Sequence, residues 1–125
     1  MNEDCDKLSE AASTDFHTIV AKTLYVTKRA RPDICLAIAF LTTRVRAPDT
    51  DDWDKLCHLM EYLRGDHDQP LVLCADNSGL LMWYVDALFA VHPNMRGHTG
   101  GGLTLGTGFP ISVSTKQKLN TRSST

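Results

Sequence analysis

Apolar positions in the first half of the chain recur at three- and four-residue spacing, the signature of amphipathic helices. From Asp15, a residue suited to capping a helix start, Phe16, Ile19, Val20, Thr23, Leu24 and Thr27 fall on one face. The basic run Lys28, Arg29, Arg31 suits the negative end of that helix's dipole. Pro32 fits the first turn of a second helix, with Asp33 beside it and Ile34, Ile38, Leu41 and Val45 as its buried stripe. That helix should stop before Pro48. Asp49, Thr50, Asp51 and Asp52 then offer capping oxygens to a third helix with an apolar face of Trp53, Leu56, Cys57, Met60 and Leu63. Gly65 predicts a left-handed C-cap.

Beyond Asp66 the period becomes extended. Leu71 to Leu73 and Leu80 to Val91 read as strands, with Asp76, Asn77, Ser78 and Gly79 between them as a hairpin turn. The stretch from His92 to His98, containing Pro93, Asn94 and Gly97, predicts another turn. Strands follow near Gly101 to Leu105 and Ile111 to Ser114, linked through Gly106 to Gly108. The fold class implied is α+β, three N-terminal helices followed by an antiparallel β-meander. The boundaries are an acidic, aperiodic leader over 1–14, a helical region over 15–68 and a sheet region over 69–125.

Composition changes this picture little. With 42% hydrophobic and 22% charged residues, the chain is in the ordinary globular range. Its four cysteines, Cys5, Cys35, Cys57 and Cys74, are widely spaced and mostly sit in apolar runs, which favours a reducing compartment over a disulfide scaffold. No signal segment opens the chain and no apolar run is long enough for a bilayer, so the expectation is an intracellular protein, cytoplasmic or nuclear, neither secreted nor membrane-bound. The net charge of −2 conceals an acidic start and a final stretch after Asp86 with no acidic residue.

Candidate chemistry reduces to one carboxylate. Tyr84-Val85-Asp86 approaches the Y-x-D-D turn of polymerases, but Ala87 replaces the second carboxylate that two metal ions require. The glycines from Gly100 to Gly108 lack a G-K-[ST] ending and precede a strand, so they are no phosphate cradle. The histidines have no helical i, i+4 pair, and His92 and His98 lack nearby cysteines or acids, which argues against zinc. No serine lies in a G-x-S-x-G elbow. Asp86 remains: its neighbours Met82 to Phe89 predict burial, and a buried carboxylate needs a partner or a metal.

Arg31-Pro32-Asp33-Ile34, Trp53 and Tyr62-Leu63-Arg64-Gly65 resemble the R-P-D-I, H-W and Y-L-K-G blocks that link polymerase to RNase H in copia-type retrotransposon Pol polyproteins. Val85-Asp86-Ala87, Arg96, His98-Thr99-Gly100, Pro110-Ile111-Ser112, Ser114-Thr115-Lys116-Gln117 and Ser123-Ser124-Thr125 resemble the opening of the RNase H segment in the same order. The resemblance covers 15–125. It implies the end of a reverse transcriptase over 15–68 joined to a truncated RNase H-like region over 69–125. It also implies an ancestral role in RNA-dependent DNA synthesis with Mg2+-dependent cleavage of RNA in RNA:DNA hybrids.

By the same resemblance Asp86 is the first catalytic and metal-binding carboxylate, and the glutamate that follows S-S-T in the family lies beyond Thr125. Leu88 departs from the small or polar residue usual at its position. The resemblance therefore implies an incomplete site that binds no cofactor stably and a chain inactive by itself. The alternative is a noncatalytic nucleic-acid-binding or protein-interaction module, with Lys28, Arg29 and Arg31 as phosphate contacts. An uncovered sheet would also permit self-association.

Overall fold

A computed structural model describes residues 5–92 and 94–119. Pro93 and Ser123-Ser124-Thr125 lie outside the described residues, as do 1–4. Three helices lead: α1 (Glu10–Arg29), α2 (Cys35–Thr42), entered through a single 3-10 turn at Pro32–Ile34, and α3 (Thr50–Gly65). Five strands follow: β1 (Cys74–Ala75), β2 (Met82–Leu88), β3 (His98–Thr104), β4 (Gly106–Thr107) and β5 (Ile111–Lys116). The α+β arrangement agrees with the sequence expectation.

The first helix begins five residues before Asp15. Ser9 is the N-cap, its hydroxyl accepting from the Ala12 amide at 3.3 Å, and Glu10 suits the positive end of the dipole. Ahead of it, the Leu8 amide donates to Pro48 and the Thr50 amide to Asp6, so the described part of the predicted leader is pinned to the start of α3. Phe16, Val20, Thr23 and Thr27 are the buried stripe of α1. The two threonine hydroxyls donate to carbonyls one turn back, at 2.8 and 2.9 Å, which satisfies them inside the core.

Asp49 and Asp52 build a reciprocal cap on α3. The Asp52 amide donates to Asp49 Oδ1 at 2.8 Å and the Asp49 amide to Asp52 Oδ2 at 3.2 Å. Arg44 spans both carboxylates, with 2.8 Å contacts to each, and thereby carries the chain from α2 into α3. Gly65 is the last residue of α3 rather than a left-handed cap; Asp66 follows with φ −133°. The core joins Phe16 and Val20 of α1, Ile34, Ile38 and Leu41, and Leu56 and Leu59 of α3. Cys35 is buried, but Cys57 and Cys74 are exposed, so the thiols are less uniformly interior than their apolar surroundings predicted.

The main sheet is antiparallel in the order β2-β3-β5. β1 does not form a hairpin with β2. It pairs with β4, Cys74 opposite Thr107 and Ala75 opposite Gly106. Gly106, at φ +150°, permits this approach: a Cβ there would sit 2.7 Å from the Cys74 carbonyl oxygen and the Asp76 amide nitrogen. The 76–79 turn itself is present, with Asn77 at φ 61° and Gly79 at φ 70°. In β3, Gly102 gives room to Phe109, whose ring meets Tyr84 edge-on at 5.9 Å between centroids.

Strand alternation puts Met82, Tyr84, Asp86, Leu88, His98, Ser112 and Ser114 on one sheet face and Trp83, Val85, Leu103, Ile111 and Val113 on the other. α2 packs on β5, and the Lys28 ammonium donates to the Ser112 carbonyl at 3.1 Å. The opposite face stays open, leaving Trp83 53% and Val85 64% exposed. No helix among the described residues is long and apolar enough to cross a membrane.

Candidate functional site

The turn ahead of α2 and the last turn of α3 meet at Arg31. Pro32 opens the 3-10 turn and so places Asp33 against the Arg31 guanidinium, with Nε at 3.0 Å and Nη2 at 2.8 Å from its oxygens. The Tyr62 hydroxyl donates to the same carboxylate at 3.0 Å, the Tyr62 ring lies 5.5 Å from the guanidinium, and Arg31 Nη1 donates to the Asp66 carbonyl at 2.6 Å. Hydrogen bonds from Arg31, then from Tyr62, hold the Asp33 carboxyl below its usual range, outweighing burial.

This network latches the end of α3 to the turn ahead of α2. Arg31 is only 6% exposed, so its guanidinium is not offered to a phosphate, unlike the expectation from charge alone. Arg29, stacked 5.4 Å over the Tyr25 ring, and Lys28 remain at the surface end of α1.

Asp86 lies in β2 opposite Gly100, and it is exposed where its apolar neighbours predicted burial. The physical reason is its place in the sheet: β2 is the edge strand away from β5, on which α2 packs, and the glycines opposite it add no side chains to cover it. One carboxylate oxygen accepts from the Ala87 amide at 2.8 Å. Asp86 borders a cleft of about 310 Å³ between the sheet and Pro32, Cys35 and Leu36; Asp33 borders it too, but its oxygens are engaged by Arg31 and Tyr62. Among the described residues no three His, Cys, Asp or Glu side chains converge as a metal site. The described residues do not fit a two-ion centre of the kind the resemblance implies.

The arrangement that spacing did not reveal is a chain of polar side chains from the turn before β3 into β5. His92 Nε2 lies 3.0 Å from His98 Nδ1, and His98 Nε2 lies 2.6 Å from Ser114 Oγ. The two histidines are 5% and 4% exposed. Burial lowers the affinity of both for a proton, with Lys116 and then His98 adding to the effect on His92. Gln117 reinforces the same junction, Nε2 donating to Thr99 Oγ1 at 2.9 Å and its amide to the Gly97 carbonyl at 2.9 Å. The signal that could have found it was the S-T-K-Q block itself, once paired in register with H-T-G.

Over 113 residues the chain is 33% identical to the Retrovirus-related Pol polyprotein from transposon RE2 of Arabidopsis thaliana. The chain is a distant relative of retrotransposon Pol polyproteins. The match takes in 90% of the chain but 8% of the Pol polyprotein's length. No protein-family model matches the chain, and no solved structure does. Within this relationship, the R-P-D-I and Y-L-R-G blocks contact one another through Arg31, Asp33 and Tyr62, and the H-T-G and S-T-K-Q blocks through His98, Ser114, Thr99 and Gln117.

Proposed function

We infer that the chain corresponds to the part of a copia-type Pol polyprotein that runs from the end of the reverse transcriptase into RNase H. The observation that carries this is the 33% identity to a transposon Pol polyprotein across 90% of the chain. The mutual contacts of the motif blocks support it, because each block then has a structural reason for its residues. The helices act as the connection region and the sheet as the opening of an RNase H-like fold. The parent activity is RNA-dependent DNA synthesis with Mg2+-dependent removal of RNA from RNA:DNA hybrids.

By itself this chain does not cleave RNA. Asp86 faces solvent without a converging set of carboxylates among the described residues, and two ions need several such charges to share. Toward a hybrid its own contribution is binding: Lys28 and Arg29 at the end of α1 contact the phosphates. The experiment is anisotropy of a labelled RNA:DNA hybrid titrated with the chain, alongside a cleavage assay in Mg2+. Binding should weaken as salt rises and fall with Lys28→Ala plus Arg29→Ala, with no cleavage. Binding indifferent to both substitutions, or cleavage that needs Asp86, contradicts this assignment. The open apolar face at Trp83, Val85, Ile111 and Val113 favours a second role, as a surface for protein association.

A further inference from the structure

We propose that Ser114, His98 and His92 form an acyl-transfer site for esters of small apolar carboxylic acids, at the cleft that Asp86 also borders and independent of the retroelement relationship. Ser114 is the nucleophile, His98 its base and His92 a positioning residue. The arrangement is a nucleophile bonded to a base that a third group orients, the geometry general to activated serines. A Ser114 hydroxyl donating to His98 Nε2 at 2.6 Å requires the His98 proton on Nδ1, which then donates to His92 Nε2 at 3.0 Å. His92 accepts in its neutral form and so fixes both the tautomer and the ring plane of His98.

The surroundings suit that chemistry. Burial keeps both imidazoles neutral, so His98 is available as a base at neutral pH. Lys116 lies opposite His98 in the β3–β5 register and on the same face as Ser114, so the sheet face that carries the nucleophile also carries a positive charge. His92 and His98 border an apolar cavity of about 870 Å³ lined by Leu36, Phe40, Leu59 and Leu88. His98 and Ser114 also border the cleft of about 310 Å³, where Pro32, Cys35, Leu36 and Leu88 give the hydroxyl side an apolar lining of its own that suits a small acyl group.

In the step that follows, Ser114 Oγ bonds to the ester carbonyl carbon while its proton passes to His98 Nε2. The ester C–O bond breaks, and the alcohol leaves with that proton. Water, giving its proton to His98, then releases the carboxylic acid and restores the hydroxyl.

An alkyl fluorophosphonate incubated with the intact chain, followed by peptide mass mapping, tests this directly. The expected result is an adduct on Ser114 formed at least about tenfold faster in the folded chain than in urea, since activation depends on the folded array. His98→Gln should slow it by about 10²-fold. Ser114→Ala should abolish it, and because this side chain is half-buried at an edge strand, far-UV dichroism should be unchanged. His92→Gln should shift the pH midpoint of labelling. No Ser114 adduct on the folded chain, equal labelling in urea, or an unmoved midpoint in His92→Gln each overturns the assignment.

Discussion

His92 and His98 make acid the sensitive direction for this protein. Both hold protons less readily when folded than in the open chain, where a histidine titrates near about 6.5. The unfolded state therefore binds more protons as pH falls, so the stability these residues give is full above that value and is lost as pH drops through it toward the lower folded values. Two protonated rings 3.0 Å apart would also repel one another. The melting temperature should fall between pH 7.5 and pH 5, and His92→Gln should flatten that slope; a melting temperature constant over the range would contradict it. None of this was legible in the sequence. His98 and Ser114 are brought together by the pairing of β3 with β5, and a search for metal-ligand spacing passes over two histidines whose partner is a serine. Asp86 departs in the opposite way: apolar neighbours imply burial only where the covering layer reaches their strand, and α2 packs on β5 at the other edge of the sheet.

Among the elements, local capping chemistry was readable and long-range pairing was not. Asp49 to Asp52 capped α3 as their positions indicated, because a cap is decided within four residues. The start of α1 is not marked in the pattern because Glu10 to Thr14 carry no apolar period, although Ser9 and two alanines suffice to begin a helix. The strand expected at Leu71 to Leu73 is not formed; the short strand β1 follows it at Cys74–Ala75 and pairs with β4 rather than β2, because the glycine that admits this partner lies far along the chain at Gly106. The Arg31 latch joins elements rather than residues. Asp33→Ala would leave the buried guanidinium with the Asp66 backbone and without its closest carboxylate. The expected cost is about 3 kcal/mol, read as a lowered urea midpoint with an unchanged slope. Asp33→Asn, which keeps a hydrogen-bond acceptor, should cost less; equal midpoints for both variants and the parent would rule the latch out as a stabilising device.

For the molecule as a whole, the helices own a closed core while the sheet is covered on one face only. The β2 edge from Met82 to Leu88 carries one charge, no proline and a row of apolar side chains, so it lacks the devices that keep sheet edges apart. Sedimentation velocity should show association that grows with protein concentration, and Val85→Lys, which charges the open face, should reduce it. A monomer at every concentration, with a sharp cooperative melt, would show that the face is stable as it stands.

The latch also bears on how this sequence can change. Arg31, Asp33 and Tyr62 justify one another, so a variant that loses the Tyr62 hydroxyl weakens the reason to keep Asp33, and one that loses Asp33 leaves Arg31 a burden. Drift at these positions should run in concert, and two short blocks of letters nearly thirty residues apart behave as a single inherited character.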